Sequence, residues 1–445
     1  MKKSQAFRRF TLIPVLAAWA AAMATPAQAQ SLVDLYTAAR SYDATFQSAK
    51  SAADATLARA EQTRAGILPA ASLTANANRT NTEIISKLEQ GTGSQTVTLG
   101  ASQPLYRPAN WATYEQGKKQ VALAEQQLNA AEQDLIVRVS QAYFDVLAAT
   151  DSLAYLKSLK TATAEQLASA KRNFEVGTST ITDSREAQAR YDLVIAQELG
   201  AENDLRVKSL ALDTLVGRPN SSPKPLALPV TLPNLSVADI EQWVVQSQDN
   251  HPSIQQAKVA LDVARLEIEK ARAGHKPTVD LVASYTAVNN NGTVGGSGAD
   301  SRTNVATLGV NFALPLFAGF SIQNRVRETV SLKEKAKADL DIAQRAVAQG
   351  TRSAFLGVIS GAAQVKAFEA AEASTQSALD ANKLGYQVGV RINIDVLNSQ
   401  SQLFDTKAKL AKARYDVLVG GLRLRQASGV LKADDLQPIN GLLKP

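Results

Sequence analysis

Apolar and polar positions divide the chain into long segments of two different periods. From about Ser31 to Gly66, Ala49, Ala52, Ala53, Leu57 and Ala60 form a small-residue stripe at helical spacing. Pro69 ends that helix. Strict alternation follows: Leu73, Ala75 and Ala77 are apolar while Thr74, Asn76 and Asn78 are polar. Val97, Leu99 and Ala101 resume the pattern beyond a glycine-containing loop around Gly91 and Gly93. These residues predict two strands of about ten residues each. A segment without proline then runs from about Ala109 to Val176. Its stripe of Val121, Leu128, Leu135, Val139, Ala142, Val146, Leu153 and Leu156 lies between heptad and 3.6 spacing. At 1.5 Å per residue, this helix should reach about 100 Å. A shorter helix is expected from about Ile181 to Leu215.

The same succession recurs about 210 residues later. A helical segment runs from about Val237 to Gly274 and Pro277 ends it. Val279, Leu281, Ala283, Tyr285 and Ala287 alternate, as do Ala306, Leu308, Val310, Phe312 and Leu314 after a Gly/Asn run from Asn289 to Gly298. Long and short helices are expected from about Phe320 to Val388 and from Ile394 to Ser428. Tyr143 pairs with Phe355, Val146 with Val358, Gln188 with Gln400 and Gly217 with Gly429. Chance matches would not hold one register across two half-chains, so the halves are expected to be one unit used twice. Arg218 to Pro233 contains five prolines and little periodicity, which reads as a linker draped over the surface. The expected organisation is a signal peptide at 1–29, a first repeat at 30–217, a Pro-rich linker at 218–236, a second repeat at 237–430 and a tail at 431–445.

The signal reading rests on Lys2, Lys3, Arg8 and Arg9, the apolar run Phe10 to Met23, and Ala27-Gln28-Ala29 as a cleavage site. Without those four cations, the formal charge of +7 becomes 44 basic against 41 acidic residues. Such balance does not indicate a nucleic-acid partner. The chain contains no cysteine, which excludes disulfides, thiol catalysis and a lipidated N-terminal cysteine. Its only histidines, His251 and His275, lie apart and have no cysteine partners; neither a metal site nor a cofactor is expected. No nucleophile elbow or phosphate loop is present, so an enzyme is not expected. His251 precedes Pro252 and reads as a helix-boundary residue.

No segment after the signal offers about 18 consecutive apolar residues, so membrane insertion would require a β-barrel. Alternation alone fits a soluble hairpin pair equally well, and a soluble periplasmic coiled-coil scaffold is the alternative reading. Four strands cannot close a barrel, because about eight is the practical minimum. Several chains must therefore share one sheet, and three would supply twelve strands.

Two segments then become specific. Asn173-Phe174-Glu175-Val176-Gly177-Thr178-Ser179-Thr180-Ile181-Thr182-Asp183 and Gly385-Tyr386-Gln387-Val388-Gly389-Val390-Arg391-Ile392-Asn393-Ile394-Asp395-Val396-Leu397 resemble the two helix-tip turns of the TolC family. With the duplication, helix lengths and signal, the resemblance covers nearly the whole mature chain. It implies a homotrimer that is mainly α with a β-barrel portion: a twelve-stranded barrel in outer-membrane lipid above a twelve-helix periplasmic barrel. It further implies an exit duct for efflux or type I secretion, working with a periplasmic adaptor and an inner-membrane transporter. By the family pattern, Tyr386 and Arg391 bond to Asp183, beside Thr182, and hold the periplasmic tip shut; Asp183 and Asp395 could instead merely cap their helices. Gly177 and Gly389 would serve the tight turns. Asp395 stands where the family places a constricting acidic ring. The family's second aspartate is replaced by Asn398, a departure that implies weaker cation selectivity.

Overall fold

The computed structural model describes residues 29–84, 87–227, 229, 239–294, 297–298 and 300–444. The expected signal segment up to residue 28, and linker positions 228 and 230–236, lie outside them. In chain order the helices are α1 (Leu32–Tyr42), α2 (Ala44–Arg64), α3 (Pro108–Glu175), α4 (Ile181–Val216), α5 (Ile240–Asn250), α6 (Pro252–Ala273), α7 (Ser321–Gln387), α8 (Asn393–Ala427) and α9 (Leu436–Asn440). The strands are β1 (Ala70–Ile84), β2 (Lys87–Tyr106), β3 (Thr278–Asn291), β4 (Thr293–Val294), β5 (Ser297–Gly298) and β6 (Ser301–Ala313).

Each segment expected to be the first helix of its half is broken in two. Asp43, at ψ 116°, leaves the helical region, and its carboxylate accepts from the Phe46 amide at 2.8 Å. Arg138 of α3 then donates two bonds to that carboxylate, at 3.1 and 2.9 Å. In the second half His251 makes the corresponding break, and its Nδ1 accepts from the Ser253 amide ahead of the Pro252 helix. The residues thus read as continuous helix contain a capped joint, which turns the short first helices, α1 and α5, onto the long ones.

The 68 residues of α3 and the 67 of α7 span about 100 Å each. The shorter helices pack along them in two tiers, α2 and α4 on α3, and α6 and α8 on α7. Helices α3 and α8 also pack against each other, joining the two halves. The main core lies midway along α3, where Leu135, Ile136, Val139, Tyr143, Phe144 and Val146 are all buried. Helix α1, the C-terminal half of α8 and the C-terminal segment close over this stretch. The described part of the linker is tied down at several points, where its composition suggested a segment merely draped over the surface. Leu226 is buried and bridges Leu443, and Tyr143 Oη donates to the Lys224 carbonyl at 2.8 Å. Proline removes backbone donors but leaves carbonyls, and these bond inward.

β1, β2, β3 and β6 form one antiparallel sheet in the order β1-β2-β3-β6. The strands are longer than the expected ten residues because the ladder passes through the glycines: Gly91 faces Asn81, and Gly93 faces both Arg79 and Asn291. Register places Leu73 opposite Leu99, Leu99 opposite Tyr285, and Tyr285 opposite Ala306, which defines an apolar face. Thr74, Thr98 and Thr286 align on the other face, where two threonine hydroxyls lie 3.1 Å apart. The apolar face is bare: Leu308 is 77% and Leu73 70% exposed. Among the described residues, both outer strands, β1 and β6, keep one unpaired edge. Where the sheet meets the helices, Arg107 grips Asp280 through two bonds of 2.7 Å. Among the described residues no helix is long and apolar enough to cross a membrane.

Asp43→Ala removes a helix cap and leaves Arg138 without its buried acceptor. We expect a loss of about 2–3 kcal/mol, read as a lower thermal midpoint of the helical signal in detergent.

Candidate gate at the helix tips

The two turns at the far ends of the long helices have one geometry. In the first, Gly177 donates to the Phe174 carbonyl at 3.0 Å and Thr178 to the Asn173 carbonyl at 2.8 Å. In the second, Gly389 donates to Tyr386 at 3.2 Å and Val390 to Gly385 at 2.9 Å. Both are the paired 5→2 and 6→1 bonds that close a helix onto a left-handed residue. Gly177 and Gly389 supply it at φ 78° and 79°, where a side chain would be strained.

Asp183 sits at the third position of α4 in a capping box. Its Oδ2 accepts from the Ser179 hydroxyl at 2.7 Å and from the Thr180 hydroxyl and amide at 2.9 and 3.0 Å, while its own amide donates to Thr180 Oγ1 at 3.2 Å. The hydrogen bond from Ser179 is the main force holding its carboxyl below the usual aspartate range; partial burial opposes this and Thr180 adds to it. The three bonds that the carboxylate accepts all fall on Oδ2, and among the described residues none is given to Oδ1. Thr182 beside it is exposed.

The other candidates find different partners within the chain. Tyr386 Oη accepts from Asn173 Nδ2 at 3.1 Å, tying α7 to α3. Arg391 lies 3.7 Å from Asp395, one turn along in its own segment. It is seated there by Gly385, where a methyl group would fall 2.7 Å from Arg391 Cγ. Asn398 accepts from Arg190 at 2.6 Å, tying α8 to α4. Within a single chain, therefore, Asp183 bonds neither Tyr386 nor Arg391. What the chain does bring together is its two helix pairs, through Asn173 to Tyr386 and Arg190 to Asn398.

One residue of this region carried no signal of its own. Asn393, the first residue of α8, is 1% exposed, accepts from Gln166 of α3 and donates to the Asp183 carbonyl at 3.4 Å. An asparagine at a helix start ordinarily reads as a cap. Only the apolar Ile392 before it, which cannot cap, hinted otherwise. Above these ties a cleft of about 390 Å³ opens between α3, α4 and α8, lined by Tyr155, Leu156, Arg190, Leu193, Phe404 and Asp405. The tips themselves are apolar and bare, with Val176, Val388, Val390 and Ile392 all at least 60% exposed. Among the described residues no three metal-ligating side chains cluster.

Paired tip turns, two helices of some 100 Å and an apolar-faced sheet define an outer-membrane channel protein. The chain belongs to the Outer membrane efflux protein family, whose profile matches residues 35–218 and 243–430. It is 31% identical to the outer membrane protein TolC of Vibrio cholerae over 94% of each chain. It is 30% identical to the alkaline protease secretion protein AprF of Pseudomonas aeruginosa, over 92% of this chain and 86% of that one. Among solved structures, the open state of the Neisseria gonorrhoeae MtrE outer membrane channel superposes with a TM-score of 0.74 at 20% identity, covering 91% and 90% of the two chains. The family is one of ducts and not of enzymes, and this chain is an outer-membrane exit duct.

Thr180→Ala should cost the α4 cap about 1 kcal/mol, measured as roughly fivefold faster hydrogen exchange at the Asp183 amide. Because the carboxyl is held low, its contribution is present above the ordinary aspartate value of about 3.9 and is lost as pH falls through the lower folded value. Protection at this amide should therefore decline in acid in the wild type and less so in Ser179→Ala.

Proposed function

We propose that the chain is the protomer of a homotrimer in which three four-stranded sheets close into a twelve-stranded barrel and twelve helices form a periplasmic conduit. The observation that carries this is the sheet, with one apolar face and two unpaired edges. In lipid each unpaired backbone group costs several kcal/mol, on the order of the whole stability of a domain. Closure through neighbouring copies is the arrangement that leaves no edge. Exposed Leu199, Val207 and Leu210 on α4, and Ile342, Leu356 and Ile359 on α7, supply matching apolar flanks below it. Leu57 of the small-residue stripe is likewise exposed, and in the trimer it would find its cover. The two halves, built from the same order of elements, are read as a duplication.

The trimer would conduct substrates through periplasm and outer membrane without making or breaking bonds. AprF is named for alkaline protease secretion and the family for efflux, and both kinds of cargo are open to this chain. A periplasmic adaptor and an inner-membrane transporter would supply energy and open the tip. The bare apolar turns and the cleft beside Arg190 offer surface for such docking.

The resting tip is closed by Tyr386, Arg391 and Asp183. Tyr386 holds α7 to α3 through Asn173. The free Oδ1 of Asp183 is suited to Arg391 of a neighbouring protomer, a charge-assisted bond repeated three times around the axis. Asp395 forms the acidic constriction, with Asn398 engaged by Arg190 instead of contributing a second ring.

In planar bilayers the wild type should conduct weakly and an Arg391→Ser, Tyr386→Phe double variant several-fold better. Equal conductance would remove the gate assignment. Protein that stays soluble without detergent and never inserts would return the periplasmic scaffold.

A further inference from the structure

We propose that Arg79 and Arg302 bind the phosphates of a phosphorylated glycolipid, on the lipid-facing side of the sheet at the end away from the helices. This rests on the barrel reading above and names a ligand for its outer rim.

The strand register carries the argument. Leu73, Leu99, Tyr285 and Ala306 share one row of the apolar face, and side chains return to that face at every second residue. Toward the helices the face runs on through Leu281 with Val310 and Val279 with Phe312. Away from them the next row is Ala75, Val97, Ala287 and Asn304. Then its character changes. Ala77, Gln95, Asn289 and Arg302 form the following row, and Arg79, Gly93 and Asn291 the one beyond it. From the row of Phe312 to that of Asn304 the face carries no charged residue, so both arginines fall where the apolar band stops. Arg302 stands ten residues from Phe312. At about 3.4 Å per residue and a strand tilt of about 40°, that separation is about 26 Å of height. The apolar band of a membrane barrel is about 25 Å tall. With Phe312 at the periplasmic boundary, Arg302 reaches the outer headgroups and Arg79 lies one row further out. An arginine on the lipid face is costly at mid-membrane and tolerated at this depth.

The chemistry of the two rows suits phosphate on a sugar. Arg79 and Arg302 are both exposed, and among the described residues neither has an ion-pair partner. A guanidinium offers a planar fork of donors that matches phosphate oxygens two at a time. Gln95 and Asn289 in one row and Asn291 in the other are exposed amides, which donate to and accept from hydroxyl groups. Separated cations with neutral amides between them fit a phosphorylated sugar better than a single phospholipid headgroup. The arginines also lie on the two outer strands, Arg79 on β1 and Arg302 on β6. Closure of the barrel would set Arg302 of one protomer on the strand next to Arg79 of its neighbour. Each of the three seams then carries one whole site, and a single chain carries only halves.

The test titrates purified trimer in detergent, without added divalent cations, and counts bound lipid by native mass spectrometry. The probes are lipid A (an acylated glucosamine disaccharide with two phosphates), its dephosphorylated form and phosphatidylglycerol. Wild type is compared with Arg79→Gln, Arg302→Gln and the two combined. Wild type should take up to three lipid A molecules per trimer, and the combined variant should bind them at least tenfold more weakly. Dephosphorylated lipid A and phosphatidylglycerol should bind wild type about as weakly as lipid A binds that variant. Arg302→Lys, which keeps the charge and loses the fork, should fall between. Equal lipid A binding by wild type and the combined variant overturns the site. Phosphatidylglycerol binding as tightly as lipid A overturns the glycolipid assignment. A wild-type trimer that inserts into bilayers but takes no lipid A leaves the barrel standing and removes the proposal. A chain that neither trimerises nor inserts removes the barrel reading and the site with it. If the combined variant fails to assemble, the single variants decide: unchanged lipid A binding in both refutes the proposal.

Discussion

Among the described residues, the outer edges of β1 and β6 pair with no further strand, while the adjoining sheet face is coated with leucine, valine and tyrosine. The apolar face favours lipid, and lipid forbids open edges. In the proposed trimer, copies of the same chain resolve that conflict, and the arrangement below the sheet follows from it. Strands closed into a ring would deliver their helices in a ring, and helices of some 100 Å would then enclose a conduit instead of a solid bundle. The Arg107–Asp280 pair fixes the crossing from sheet to helices, because it joins the residue between β2 and α3 to the first residues of β3.

Rigidity and movement are divided along the helices. Near their middle, α3 is buried on nearly every side, with Tyr143, Phe144 and Tyr415 packed ring against ring. Burial there pushes the Asp151 carboxyl upward, partly offset by the Tyr415 hydroxyl that donates to it at 2.6 Å. At the tips the two helix pairs meet through a small apolar cluster and a few polar bonds. Bonds of this kind are worth about 1 kcal/mol each, weak enough for the proposed docking partner to break and, in the three copies of the proposed trimer, strong enough to hold. A gate needs that contrast between a fixed collar and a loosely tied end.

Much of this was legible in the chain because it depends on local pattern. The ends of α3, α4, α7 and α8 fell within a residue or two of expectation, since glycine turns and helical stripes are local signals. The joint at Asp43 was not, because apolar spacing continues across it and its second partner, Arg138, is distant in sequence; at His251 the following proline marked a boundary, but not that the expected helix continues on both sides of it. Strand ends were missed where glycines that usually break structure stay in the ladder. At the tips the residue types were readable but the pairings were not. Whether Arg391 meets Asp395 or Asp183 depends on which helices lie beside it, and Asn393 gains its meaning only from Gln166, more than two hundred residues away.

Edge closure between copies is tested most directly in this naturally cysteine-free chain. Cysteine would replace Ser72, Thr74 or Asn76 on β1 in combination with Thr303, Val305 or Thr307 on β6, followed by oxidation in outer-membrane vesicles and denaturing electrophoresis. Closure by three predicts that at least one pair yields covalent species that stop at the trimer. Cross-links that form only within single chains, or a ladder continuing past three, would contradict it.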